Sequence, residues 1–225
     1  MSLTTDIANL TGQVTDLTAR VADWIDQADA KIDQALATVP KMFVRYYVDP
    51  ATGDDTNDGL SETSAFATLD RALEMASGAP VRWTDIVVRG NVTASSLRQF
   101  WGNKVMIWCD DPTIRPIIDF DASFNGILWN AFVRFQNVHL RLPANATGSW
   151  KLFWPAGFAS IVFRDCTVEY PGSGDVFFTA RGYGGLSISG YGITAISMAG
   201  RWVQEAPAGT DIDSVPGVNS DVPNT

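Results

Sequence analysis

A mainly β protein, a short parallel β-solenoid preceded by an N-terminal α-helical coiled coil, is the fold class this sequence predicts. Three observations carry it: a heptad seam over the first forty residues, repeats of 25–28 residues in the second half, and short β-rich runs broken by turn residues. The resulting division is 1–40 as a coiled-coil stalk, 41–80 as a strand–turn–helix cap, 81–200 as the solenoid and 201–225 as an acidic extended arm.

Leu3, Ile7, Leu10, Val14, Leu17 and Val21 alternate spacings of four and three, the seam of a coiled coil. The step to Ile25 is a second four in succession, a stutter that locally unwinds a supercoil. Ala28, Ile32, Ala35 and Val39 resume the seam, and Pro40 cannot continue the helical hydrogen bonding. At 1.5 Å per residue the rod is about 55 Å long. The stripe is the narrow two-per-seven seam, whereas a helix lying on its own domain shows a broader apolar face, so oligomerisation is expected. Branched residues at one seam position with Leu at the other formally favour two strands, but the small Ala28 and Ala35 and the stutter leave the stoichiometry open.

Residues 43–49 read as a strand, and residues 50–61 as turn chemistry throughout, with Pro50, Gly53, Asp54, Asp55, Asn57, Asp58 and Gly59. Thr68 caps a short helix from Leu69 to Ala76, whose Leu69, Ala72, Leu73 and Ala76 share a face, and Gly78 ends it. An EF-hand loop starting at Asp54 would need Asp or Asn at 56 and Glu at 65; Thr56 and Ala65 stand there, so the run is read as a turn and no metal site is expected.

From Trp83 onward, Val133, Phe135, Asn137, Val138 and Leu140 align with Ile161, Phe163, Asp165, Cys166 and Val168 at an offset of 28. These align in turn with Leu186, Ile188, Gly190, Tyr191 and Ile193 at an offset of 25. A second set keeps step: Ile127-Leu128-Trp129, Leu152-Phe153-Trp154 and Val176-Phe177-Phe178. Two weaker candidates precede them, 86–92 and 105–120. Apolar residues alternate within each unit, and a small or polar residue at 137, 165 and 190 marks a corner. Such units bury their faces only by stacking, and the helix from Leu69 would cover the open lower end. An antiparallel β-sandwich is the alternative, and it gives no reason for both strand sets to repeat together. Cys109 and Cys166 fall about two rungs apart, near 10 Å, too far for a disulfide. Residues 204–225 hold Glu205, Asp211, Asp213 and Asp221, three prolines and no basic residue, so the composition reads as a linker or extended arm, set against something such as a neighbouring subunit.

The stalk is followed by Tyr46-Tyr47-Val48-Asp49-Pro50, Gly53, Asp54, Asp58-Gly59-Leu60-Ser61 and Phe66-Ala67-Thr68-Leu69 with Ala72-Leu73. This combination resembles the leading segment of right-handed, pectate-lyase-like β-helix domains in bacteriophage tail fibres and tailspikes. The resemblance covers residues 43–75. It implies a homotrimeric virion protein, three chains wound at the stalk, carried on a phage tail or head and assembled in the host cytoplasm. Other virion proteins would hold the N-terminus, and host cell-surface polysaccharide would be the contact for host attachment.

The net charge of −9 and the lack of a basic patch argue against nucleic acid as a partner. No run approaches the roughly 20 apolar residues of a membrane span, and 1–10 lacks the pattern of a signal peptide. No cofactor or metal motif appears. Polysaccharide hydrolysis would need two suitably spaced carboxylates. Asp110, Asp111, Asp119, Asp121, Asp165, Glu169 and Asp175 are available, but no motif places them, and no catalytic residue is assigned. Asp165 and Asp110-Asp111 read as turn residues, Glu169 as an outward partner of Arg141, and His139 as an outward surface residue. Trp101, Trp150, Tyr170, Tyr183 and Trp202 are candidate surface aromatics, to stack on sugars or pack between subunits. A structural or receptor-binding fibre or spike subunit is therefore expected. A polysaccharide-degrading tailspike (glycosidase or lyase) is the first alternative and a head fibre or decoration protein the second.

Overall fold

The computed structural model of the chain describes residues 2–38, 42–78, 83–146 and 150–224. The chain divides into two units, 1–40 and 41–225. The first is a single helix, α1 (Leu3–Thr38). Its seam residues Leu3, Ile7, Leu10, Val14, Leu17, Val21, Ile25 and Ile32 stand 47–76% exposed within one chain. Ala28 is half-buried and Ala35 exposed. The expected seam residue Val39 and the stop at Pro40 lie outside the described residues.

The second unit begins with β1 (Phe43–Val48) and the turn-rich segment, whose carboxylates fold onto their own loop. Asp54 accepts from the Thr56 backbone and hydroxyl, and Asp58 from the Leu60 amide and Ser64 hydroxyl. Asp55 reaches further, accepting from the amides of Ala67 and Thr68 and the Thr68 hydroxyl. It thereby pins the loop to the start of α2 (Leu69–Gly78), where Thr68 accepts from the Arg71 amide. The helical face read from the sequence, Leu69, Ala72, Leu73 and Ala76, is buried against β1 and the strands that follow.

Those strands wind into a parallel β-solenoid of about four turns. The first turn is β2 (Trp83–Val88), β3 (Val92–Ala94) and β4 (Leu97–Trp101); the second is β5 (Lys104–Trp108), β6 (Ile117–Phe120) and β7 (Asn125–Trp129). The third is β8 (Ala131–Gln136), β9 (His139–Arg141) and β10 (Trp150–Pro155); the fourth is β11 (Ala159–Arg164), β12 (Thr167–Glu169) and β13 (Val176–Thr179). Strands β14 (Leu186–Tyr191), β15 (Thr194–Ile196) and β16 (Val218–Ser220) complete the stack. Sheet A runs β1-β2-β5-β8-β11-β14-β16, sheet B β3-β6-β9-β12-β15 and sheet C β4-β7-β10-β13.

Alternation along each strand sends one row of side chains inward, and in-register stacking aligns those rows. Val105, Val133, Ile161 and Ile188 make one inward column of sheet A, and Ile107, Phe135 and Phe163 another. The Phe135 and Phe163 rings stack at 5.9 Å, and Phe153, Phe178 and Trp202 continue the aromatic packing upward. Corners between sheets A and B fall at Asn137, Asp165 and Gly192, all with positive φ (53°, 51° and 67°). Asn and Asp tolerate that left-handed backbone better than other side-chain-bearing residues, and Gly best of all.

Two readings of the repeat are corrected by this register. The offset of 28 between Val133 and Ile161 is observed, but the next turn pairs Ile161 with Ile188 and Phe163 with Gly190, an offset of 27 in place of 25. In sheet C, Trp154 pairs with Ile127 and Lys151 with Phe177, so the triplets expected to align are displaced. Gly190 is an inward strand position, where an added Cβ would lie 2.1 Å from the Ile193 side chain, and Gly192 makes the corner. Residues 201–224 also differ from the expected extended arm. Trp202, Val203, Ile212, Val215 and Val222 are buried, and β16 joins sheet A, so the segment folds over the upper end of the coil.

Truncating Phe163 to Ala in the middle of this column is expected to destabilise the solenoid by about 3–5 kcal/mol, read from urea unfolding. Asp55→Ala, which strips three hydrogen bonds from the junction with α2, should cost about 2 kcal/mol in the same assay.

Candidate functional site

The outer surface of the coil carries three arrays, one per sheet, because outward positions stack in columns just as inward ones do. On sheet B, Asp119, Arg141 and Glu169 occupy one register row on three successive strands. Arg141 takes Asp119 through both Nε and Nη2, and His139 Nε2 lies 2.8 Å from Glu169. The expected partner of Glu169 was Arg141; the structure gives it His139 and turns Arg141 the other way. Asp119 and Glu169 are about 10 Å apart at the backbone, twice the 4.8 Å strand spacing, with Arg141 between them. An open hollow of about 370 Å³ lies beside them, lined also by Thr93, Asp121 and Asn145. Asp121 accepts from the Ser123 amide and hydroxyl, and the former holds its carboxyl below the ordinary 3.8 with the latter's help. Hydrogen-bonded in this way, the Asp121 carboxyl favours its charged, hydrogen-bond-accepting form.

The remaining candidate carboxylates lie in turns and corners between strands. Asp110 pairs with Arg89 at 2.8 Å, and Arg89 also holds Glu62 at 2.6 Å. Asp111 caps its own turn through Thr113, Asp165 sits on a corner 3.6 Å from Arg164, and Asp175 is exposed just before β13. Among the described residues no group of three or more His, Cys, Asp or Glu is placed to hold a metal ion. No described helix is long and apolar enough to cross a membrane.

The five aromatics singled out in the sequence separate into two groups. Trp101 is exposed on sheet C and stacks on Trp129 at 4.8 Å, and Tyr183 is 87% exposed. Trp150 is half-buried, its indole donating to the Ala122 carbonyl. Tyr170 and Trp202, expected at the surface, are core residues. The Tyr170 hydroxyl accepts from the Gly174 amide, and Trp202 packs on Phe163 and Phe178 while donating to the Pro223 carbonyl. Sequence reasoning overlooked Trp129 and Trp154 on the outer face of sheet C, with Lys151 5.2 Å from the centre of the Trp154 ring. Trp129 lies 28 residues after Trp101, the same interval that relates Val105 to Val133, so the repeat itself pointed to it.

The fold is thus a mainly β chain with a parallel β-solenoid and one N-terminal helix. Compared with known protein families, curated proteins and solved structures, the chain matches none.

Cys109 and Cys166 are free and buried, and burial pushes both thiols up, which suppresses the nucleophilic thiolate. A thiol-reactive dye is expected to leave both unmodified in the native protein and to label both in denaturant. Arg141→Gln should cost under about 1 kcal/mol, because the Arg141–Asp119 pair is more than a third exposed and screened by water.

Proposed function

We propose that the chain is a structural or receptor-binding fibre or spike subunit of a bacteriophage particle, carried on the tail or the head. Its N-terminal helices wind into a trimeric coiled coil that also meets other virion proteins, and the solenoid contacts host-surface glycan. The observation that carries the reading is the seam of α1. Eight large apolar residues lie on one heptad line and stand half or more exposed, or nearly so, in a single chain. Water contact along that line is unfavourable by roughly 25 cal/mol for each Å² of apolar surface, and winding identical helices together removes it. The virion setting and the number three come from the resemblance of residues 43–75 to the leading segment of phage β-helix domains. The sheet B array supports a second reading, a polysaccharide-degrading spike, since it sets Asp119 and Glu169 beside an open hollow.

Light scattering on the full chain should give the mass of three copies. The double substitution Leu10→Asp and Leu17→Asp should give one copy while the β-type circular dichroism of the solenoid is retained. A wild-type chain of single-copy mass would overturn the fibre reading. Release of reducing ends from capsule polysaccharide, abolished in both Asp119→Asn and Glu169→Gln, would replace it with the enzymatic one.

A further inference from the structure

Sheet A presents an outer face on which cations outnumber carboxylates, in a chain of net charge −9. Its outward positions bear Arg45, Lys104, Arg134 and Arg164 against a single carboxylate, Asp85. Asp85 is committed: it pairs with Arg45 at 3.1 Å and accepts from the Trp83 indole at 2.8 Å. Lys104 and Arg134 make no ion pair among the described residues, and Arg164 has Asp165 on the adjoining corner at 3.6 Å.

The register sets these three cations on a diagonal. Lys104 pairs with Phe132, two residues before Arg134; Arg134 pairs with Val162, two residues before Arg164. Each step crosses one strand and advances two residues, so successive cations are about 8 Å apart at the backbone. Two hollows follow the same line and share Arg134. One, of about 110 Å³, holds Trp83, Lys104 and Phe132; the other, of about 440 Å³, holds Arg164, Val162, Tyr191 and one carboxylate, Asp221, which accepts from the Gly190 amide at 2.7 Å. At the centre, Arg134 Nε and Trp108 Nε1 are withdrawn from solvent with no acceptor, although Arg134 Nη2 donates to Gln136.

We propose that this diagonal is a binding track for a linear acidic polysaccharide, its carboxylates taken by Lys104, Arg134 and Arg164 and its sugar faces by the neighbouring rings. The proposal rests on the glycan-contacting reading above and names the charge class of the glycan. Guanidinium groups match carboxylates in a planar, bidentate geometry. Exposed Trp83 and Tyr191 supply apolar ring faces beside them. Of the remaining outward positions, Ser160, Ser187, Ser189, Gln136 and Asn219 are hydrophilic, and Phe43, Met106, Phe132 and Val162 offer apolar surface between the charges; the core of a subunit interface is depleted in charge, whereas this face carries a row of cations. Three cations on an acidic chain suit a polymer of sparse charge, whereas duplex DNA carries a charge for about every 1.7 Å of axis.

Binding of the full chain to polygalacturonate, neutral dextran and duplex DNA is measured at low and high NaCl, with light scattering on each variant. Polygalacturonate alone should bind, more weakly at high salt, and Arg134→Gln or Lys104→Gln should each weaken it by about tenfold. Arg181→Gln, just after β13 and paired with Glu205 at 3.3 Å away from both charged arrays, serves as the control and should leave binding unchanged. Absence of polygalacturonate binding, or full binding by Arg134→Gln, overturns the track. Equal binding of dextran also overturns it while leaving the glycan-contacting reading standing. Tighter binding of DNA, or loss of oligomer mass in Arg134→Gln or Lys104→Gln, assigns the face to another partner and rejects the proposal. A single-copy mass for wild type beside intact, Arg134-dependent binding would sink the fibre reading alone.

Discussion

Parallel, in-register stacking of sheet A is the constraint on which the rest of the solenoid depends. Each strand satisfies its backbone groups only through the strands above and below, so a turn of the coil is stable only as one of several. That stacking converts the two-residue alternation of a single strand into columns. Inside, the columns become aliphatic stacks and the packed rings of Phe135, Phe163, Phe178 and Trp202. Outside, the same repetition collects the Asp119–Arg141–Glu169 row on sheet B, the tryptophans on sheet C and the cations on sheet A. Core and surface arrays are therefore two results of one register.

Both open ends of such a stack expose unpaired strand edges and the apolar interior, and the chain closes each with its own flanking sequence. Below, α2 lays Leu69, Leu73 and Ala76 across the coil, held in place by the Asp55 junction. Above, residues 201–224 bring Trp202, Ile212 and Val222 over the last turns. The α1 seam residues, by contrast, stand exposed within their own unit.

The parts of this architecture that were legible in the sequence are those with dense local signals. The four residues on one face of α2 and the Val133–Ile161 offset were readable because apolar periodicity is locally unambiguous there. The next turn reads two residues short in the sequence, at an offset of 25 against the observed 27. A slip of two keeps every side chain on the correct face, so alternation alone cannot detect it; only the corner, at Gly192 and not Gly190, fixes the count. The last segment reads as an arm in the sequence because its acidic, proline-containing composition outweighs widely spaced apolar residues, Val203, Ile212, Val215, Val218 and Val222, which the fold buries. Tyr170 and Trp202 were placed outside because an aromatic beyond a strand end carries no alternation to show its direction. The charged arrays depend on register across turns, so they became visible only once the register was known.

The left-handed corners at Asn137, Asp165 and Gly192 recur once per turn in the same place. They divide the coil into interchangeable lengths: a block running from one corner to the equivalent point of the next would enter or leave with its inward columns, its bend and its neighbours' pairing intact. A fraction of such a block would misalign every strand above it. Evolution of this body would then proceed in whole turns, with the two closing segments carried along unchanged, so that reach away from the base is a quantity adjusted in discrete steps.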